Sequence, residues 1–248
     1  TEFWDGTSWT EVSDLSVARQ TSTSAQAGSS TASLSVGGLT PPGYMTTTEE
    51  WTTSSSFTKT NLGQVYYNSG SNAFKVTRIV TVTGTWASGG NVNTGRGHGG
   101  GAGNSHSANL FFGGQSPGNN TVALTENYNG TAWTEVGDLN QAQHYISGTG
   151  SSTAAIVAGG NRSSTPGGNN SVNVEQWDGS SWTEVANLNY GKYGAAAAGT
   201  SVSAGLVFGG ENSGMPAEQK NTESWNGSTW TETGDMSTAR SWVWSGGT

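Results

Sequence analysis

The sequence predicts an all-β fold assembled from a repeated four-stranded antiparallel unit. Three observations predict it. A nine-residue phrase, Trp4-Asp5-Gly6-Thr7-Ser8-Trp9-Thr10-Glu11-Val12, returns in close variants at 128–136, 177–185 and 225–233. The second Trp of the phrase falls at Trp86, Trp133, Trp182 and Trp230, at spacings of 47, 49 and 48 residues, and a fixed period near 50 marks a solenoid or a propeller. Between copies, short apolar runs alternate with Gly-rich turns, while helical signals are almost absent.

The copy from Ala195 onward gives the elements in order. A small-residue run, Ala195–Thr200, reads as strand a, and the apolar run Ala204–Phe208 reads as strand b, ending in Gly209-Gly210. Matching Gly pairs stand at 37–38, 113–114 and 159–160. Glycine there permits close backbone approach or dihedrals that a Cβ would block. After a polar loop, Asn221–Trp225 alternates as strand c, and Trp230–Thr233 is strand d. Asn226-Gly227 between them predicts a two-residue type I′ turn, with Asn129-Gly130, Asp178-Gly179 and Asp5-Gly6 doing the same.

A b strand ending in Gly-Gly, an aromatic on strand c and a Trp shortly after it resemble the kelch repeat. The resemblance covers most of the chain and implies a β-propeller whose blades are these four-stranded units. It implies little about function, since such folds serve many roles. Aromatics at strand d stand at Trp9, Phe57, Trp86, Trp133, Trp182 and Trp230, so six blades are expected, with five and an inserted hairpin as the alternative. The short interval from Phe57 to Trp86 makes one blade short or irregular, and segment 62–84, which lacks a Gly pair, reads as a hairpin. The five Trp in register are expected to occupy equivalent places. Residues 1–248 form one such domain, which starts at strand c and stops after a strand a, consistent with a fragment of a longer chain.

Composition narrows the chemistry. The chain has 248 residues, 39 Gly, 11 Trp and no Cys, which excludes disulfides and thiolate metal sites. No run of 18 apolar residues predicts a membrane helix. A net charge of −8 argues against nucleic acid as a partner. His98, His106 and His144 do not cluster in sequence, and no spacing resembles a zinc site, a phosphate loop or a catalytic triad. No cofactor, metal or enzymatic activity is expected.

The charges follow the repeat. Glu2, Glu49, Glu126, Glu175 and Glu223 all stand two residues before the strand-c aromatic. Arg19, Arg96, Lys192 and Arg240 each follow a strand-d Trp by ten residues, and Gln143 takes that place in the remaining unit. At one mouth of a propeller channel these cations would either hold an anion or pair with the repeated acids to tie blades together; regular spacing favours the pairing.

The segment Gly63-x-x-Tyr66-Tyr67-Asn68-Ser69-x-x-Asn72-x-Phe74-Lys75-Val76, followed by Gly84-x-Trp86, resembles a hairpin common in tail-fibre and other virion proteins of tailed bacteriophages, and Trp-Asp-Gly-Thr-Ser-Trp arrays resemble those of marine phage structural proteins. That resemblance implies a virion or extracellular module that recognises another virion protein, a host surface protein or a glycan. The b–c loops differ in every copy and each contains Pro, as recognition loops on a rigid scaffold do. Pro41, Tyr44, Arg162 and Met215 are the candidate contacts in them. A lectin-like sugar binder and an intracellular interaction adaptor are the alternatives.

Overall fold

The computed structural model describes residues 1–4, 9–24, 32–53, 65–68, 72–76, 84–162, 170–213 and 218–243. They contain strands, turns and no helix. Four sheets are four-stranded antiparallel meanders in the order a-b-c-d. The first joins Thr23–Ser24, Ala32–Val36, Thr48–Thr52 and Thr85–Ser88; the second Gly100–Ser105, Ala108–Phe112, Thr125–Tyr128 and Trp133–Glu135. The third joins Ser147–Gly150, Ala155–Ala158, Val174–Trp177 and Trp182–Glu184; the fourth Ala196–Ser201, Ala204–Phe208, Thr222–Trp225 and Trp230–Thr233. Near the N-terminus, Glu2–Trp4 and Trp9–Glu11 form a c–d pair of the same kind.

The strand-d Trp is the constant of the repeat. Trp9, Trp86, Trp133, Trp182 and Trp230 pair across the ladder with Trp4, Trp51, Tyr128, Trp177 and Trp225. All five therefore hold equivalent ladder positions, but their surroundings differ: Trp133, Trp182 and Trp230 are buried, Trp86 is half-buried and Trp9 is 65% exposed. The pairing also corrects the strand count. The partner of Thr48–Thr52 on the d side is the strand of Trp86, whereas Phe57 lies outside the described residues. The hairpin Val65–Asn68 with Ala73–Val76 is thus inserted between strands c and d of the first sheet. The expected sixth d strand had rested on Phe57. The described strands instead follow the alternative, five units with an inserted hairpin.

The b strands of the second and third sheets are apolar on both faces because the sheets stack face to face. Leu34 and Val36 of the first sheet pack with Phe111, Tyr128 and Trp133 of the second. Leu110 and Phe112, pointing the other way, pack with Ala155, Val157, Trp177 and Trp182 of the third. Ile156 and Ala158 turn to Val207, Trp225 and Trp230 of the fourth. Alternate residues of one strand serve alternate neighbours, the period-2 rule applied to a doubly buried sheet.

Three of the strand-d indole N–H groups are matched to a hydroxyl of the preceding unit. Trp86 donates to Thr1 (3.2 Å), Trp133 to Thr48 (3.0 Å) and Trp182 to Thr125 (3.0 Å). In register, Trp230 faces the position of Val174, and its buried indole nitrogen has no partner among the described residues. Val174→Thr is expected to raise stability by about 1 kcal/mol, one hydrogen bond to an otherwise stranded donor. Thermal unfolding checks it: the midpoint should rise by roughly 2–4 °C, and a fall would mean that the hydroxyl finds no donor.

The Gly pairs join the units. Gly38, Gly114, Gly160 and Gly210 donate their N–H to the carbonyls of Arg96, Gln143, Lys192 and Arg240, the first residues of the next unit. The preceding glycines lie against the same carbonyls, so that a Cβ on Gly37, Gly113, Gly159 or Gly209 would stand 2.5–2.7 Å from the oxygen.

The c–d turns differ from the type I′ expectation. Tyr128 pairs with Trp133, so four residues form the loop. The Asn129 side-chain oxygen accepts the N–H of Thr131 and Ala132, and Asp178 and Asn226 do the same in their turns. This capping by the first residue leaves only the glycine at positive φ, between 91° and 101°.

Candidate functional site

Twelve residues after each strand-d Trp stand Thr21, His98, Tyr145, Gly194 and Trp242. All five have φ between 54° and 60°, a left-handed conformation uncommon for residues other than glycine. A relay of backbone hydrogen bonds joins them: His98 N–H to Thr21 O, Tyr145 to His98, Gly194 to Tyr145 and Trp242 to Gly194, at 2.7–3.3 Å. Four side chains held in this unusual conformation therefore sit one after another along successive units.

Their rings converge. Tyr145 lies 4.4 Å from His98 and 4.7 Å from Trp242, centroid to centroid. Gly194 makes room, since a Cβ there would stand 3.3 Å from the Trp242 ring. His144, Tyr193 and Tyr44 complete the cluster, the first two against Tyr145 and the last edge-on to His98.

The b–c loops hold its rim. Each begins just after a Gly pair with a residue bridged to the strand-a entry of its own unit: Gln20 with Leu39, Gly97 with Gln115, His144 with Asn161 and Tyr193 with Glu211. The aromatic cluster thus lies on the b–c loop face. Glu211 accepts the Tyr193 hydroxyl (2.5 Å) on one oxygen and the Trp242 indole N–H (2.8 Å) on the other. Thr121 Oγ1 and His144 Nδ1 lie 3.1 Å apart, and the Tyr44 hydroxyl reaches Gln115 and Asn119 at 3.5 Å.

Electrostatically the site is neutral apart from Glu211. Burial pulls the His144 imidazole down to about 4, with His98 adding a smaller push in the same direction, and burial also lowers His98. The hydroxyl of Tyr193 is pushed up to about 12, by burial first and by its bond to Glu211 second. Burial likewise raises Tyr44 and Tyr145. The rings are therefore uncharged at pH 7, and the hydroxyls are donors.

A pH dependence follows from His144. Its folded value lies below its ordinary value of 6.5, so the unfolded chain takes up the proton first as pH falls. Stability is full above pH 6.5 and is lost as pH falls toward about 4, by on the order of 3 kcal/mol from this group. In denaturant unfolding, His144→Asn should lack this part of the pH dependence. An unchanged slope between pH 6.5 and 4 in the variant would refute the assignment.

Of the residues singled out in the sequence, Tyr44 belongs to the cluster, and Pro41 is exposed at the tip of its hairpin. Arg162 turns its guanidinium back onto Asn173 (2.6 Å) and Ser171 (3.2 Å). Met215 lies outside the described residues. Arg19, Arg96 and Lys192 are each paired with the strand-c carboxylate of their own unit: Glu49, Glu126 and Glu223. Burial lowers the Arg96 and Lys192 values and the paired carboxylates oppose it. The pairing leaves these three cations tying strands together, with no charge directed at an anion. Arg240 is exposed, and its carbonyl accepts the Gly210 N–H.

The sequence reading did not find His98, His144, Tyr145, Tyr193, Glu211 and Trp242. The signal was present: the offset that aligned the cations at ten residues also aligns all of these but Glu211 at eleven and twelve, and Glu211 directly follows a Gly pair. Among the described residues, no three His, Asp or Glu side chains converge as metal ligands. No helix is long and apolar enough to cross a membrane. No protein-family model matches the chain, and no curated protein matches it.

Proposed function

We propose that this chain is a kelch-like β-propeller of five units acting as a non-enzymatic recognition module, with the aromatic cluster on the b–c loop face at the centre of its binding surface. The observation that carries the reading is the approach of Tyr145 to Trp242, two units apart in the repeat order. A straight stack separates such positions, whereas a ring brings them together at its axis. Rigid stacked sheets below and loops of differing length above suit a fixed platform with a variable rim. A His144 value near 4 leaves a weak base at pH 7, which supports binding rather than acid–base chemistry.

The virion setting rests on the resemblance carried by segment 62–84. Its hairpin is inserted at the c–d end of the first sheet, opposite the b–c loops. A module attached through that end would present the aromatic face outward, to a host surface or another virion protein. A glycan is the second reading, favoured by one observation: Tyr145, Tyr193 and Trp242 meet beside the Glu211 carboxylate, and Tyr44, on the other side of His98, reaches an amide rim. Aromatic faces stack on the C–H surfaces of sugars while such rims bond hydroxyls.

Host-cell attachment and glycan-array binding of Tyr44→Ala/Trp242→Ala test the proposal. Binding should fall at least tenfold, while the thermal midpoint moves only a few degrees, since both residues lie at the surface of the stack. Unchanged attachment in a folded variant would remove the binding face from this end of the molecule. Attachment lost without any glycan signal would favour a protein partner.

A further inference from the structure

The one unit without a cation at its strand-a entry carries the inference. Glu49, Glu126 and Glu223 each receive a backbone N–H on one oxygen, from Ser16, Asn93 and Asn189, and a side-chain cation on the other. Glu175 receives the N–H of Asn140 in the same way, together with the Asn140 amide and the Gln141 N–H. Glu223 has the matching three donors from Asn189 and Tyr190, and Lys192 besides. Those donors therefore do not stand in for the cation.

Glu175 is fully buried, at 0% exposure, and so is Gln143, in the cation's place. Both the oxygen and the nitrogen of the Gln143 amide lack a partner among the described residues. Where arginine is present, its guanidinium also takes backbone carbonyls: Gly37 and Thr47 in the first sheet, and Thr94, Phe111 and Gly113 in the second. The register assigns the corresponding carbonyls to Gln141, Val157, Gly159 and Asn173. Arg162 is the one cation nearby. It occupies the Asn173 side-chain oxygen, the counterpart of the Asn221 oxygen that takes Lys192, and makes no ion pair with Glu175.

We infer that the third unit binds a monovalent cation of potassium or ammonium size between Glu175 and Gln143, in the place that arginine or lysine fills elsewhere. One carboxylate with an amide oxygen and neutral carbonyls balances a single charge, and all the ligands are oxygens, which suit a hard cation. Burial of an unbalanced carboxylate is costly, so the ion would stabilise the fold by mass action. The inference does not rest on the proposed binding face.

The test is thermal unfolding of the full chain in choline chloride, with KCl, NaCl or NH4Cl exchanged in at constant ionic strength. A saturable rise in midpoint of about 5–10 °C is expected once the ion exceeds its Kd about a hundredfold. Gln143→Arg and Gln143→Lys, which supply the charge covalently, should start from a higher midpoint in choline and show no rise. Crystals soaked in thallium should show an anomalous peak between Glu175 and Gln143. A midpoint indifferent to the cation, or a saturable rise that persists in Gln143→Arg, overturns the inference.

Discussion

Gly159→Ala is expected to lower the thermal midpoint by roughly 10 °C, although it adds one methyl group. Gly159 has φ +69°, and an added Cβ would lie 2.5 Å from the Lys192 carbonyl oxygen. Left-handed backbone costs an alanine about 1–2 kcal/mol. The carbonyl cannot withdraw freely, because it accepts the Gly160 N–H at 2.7 Å and so joins the third unit to the fourth. Pushing it away strands a buried donor, at about 1–3 kcal/mol. Together these give on the order of 2–5 kcal/mol, or about 10 °C for a chain of this size. Gly234→Ala is the control, having no atom within 4 Å of its added Cβ; it should be neutral or slightly stabilising. If Gly159→Ala unfolds within 2 °C of the parent protein, the Gly pair is not the joint described.

Arg96→Ala should cost about 3–5 kcal/mol, the usual penalty for leaving one partner of a buried ion pair alone. The side chain donates to Gly113 O, Thr94 O and Phe111 O at 3.0–3.1 Å and to Glu126, and its guanidinium carbon lies 4.1 Å from the Phe111 ring centroid. Its loss strands the Glu126 carboxylate, which among the described residues then keeps the Asn93 N–H as its donor, and three carbonyls. Adding Glu126→Gln to Arg96→Ala removes the stranded charge and should recover part of the loss, a non-additivity of about 1–3 kcal/mol. Chemical denaturation of the four proteins in this cycle measures it. Additive losses would mean that the two side chains do not interact in the folded state.

Much of the fold was legible because its signals are short-range and periodic. The phrase around each strand-d Trp, the Gly pairs and the alternation on strand c give the a-b-c-d meander and its register, and the ten-residue offset of Arg19, Arg96 and Lys192 correctly points to pairing with the strand-c acids. Local patterns failed where pairing depends on a distant strand. Phe57 is an aromatic at plausible spacing, and only the ladder of Trp51 with Trp86 assigns strand d of the first sheet. The c–d turns were misjudged for a related reason: Asn-Gly suits a two-residue turn, but the Tyr128–Trp133 pair closes one of four residues.

By itself the sequence determined the repeat, the strand order within each unit and the residues that bury charge, since each follows from neighbours within about 50 positions. The aromatic cluster was decided by tertiary structure alone. His98, Tyr145 and Trp242 share an offset in the sequence, but a shared offset places residues at the same level of successive units without saying whether they meet. They meet because a relay of backbone hydrogen bonds holds these positions of successive units side by side in left-handed conformation, where the rings of separate units come into contact.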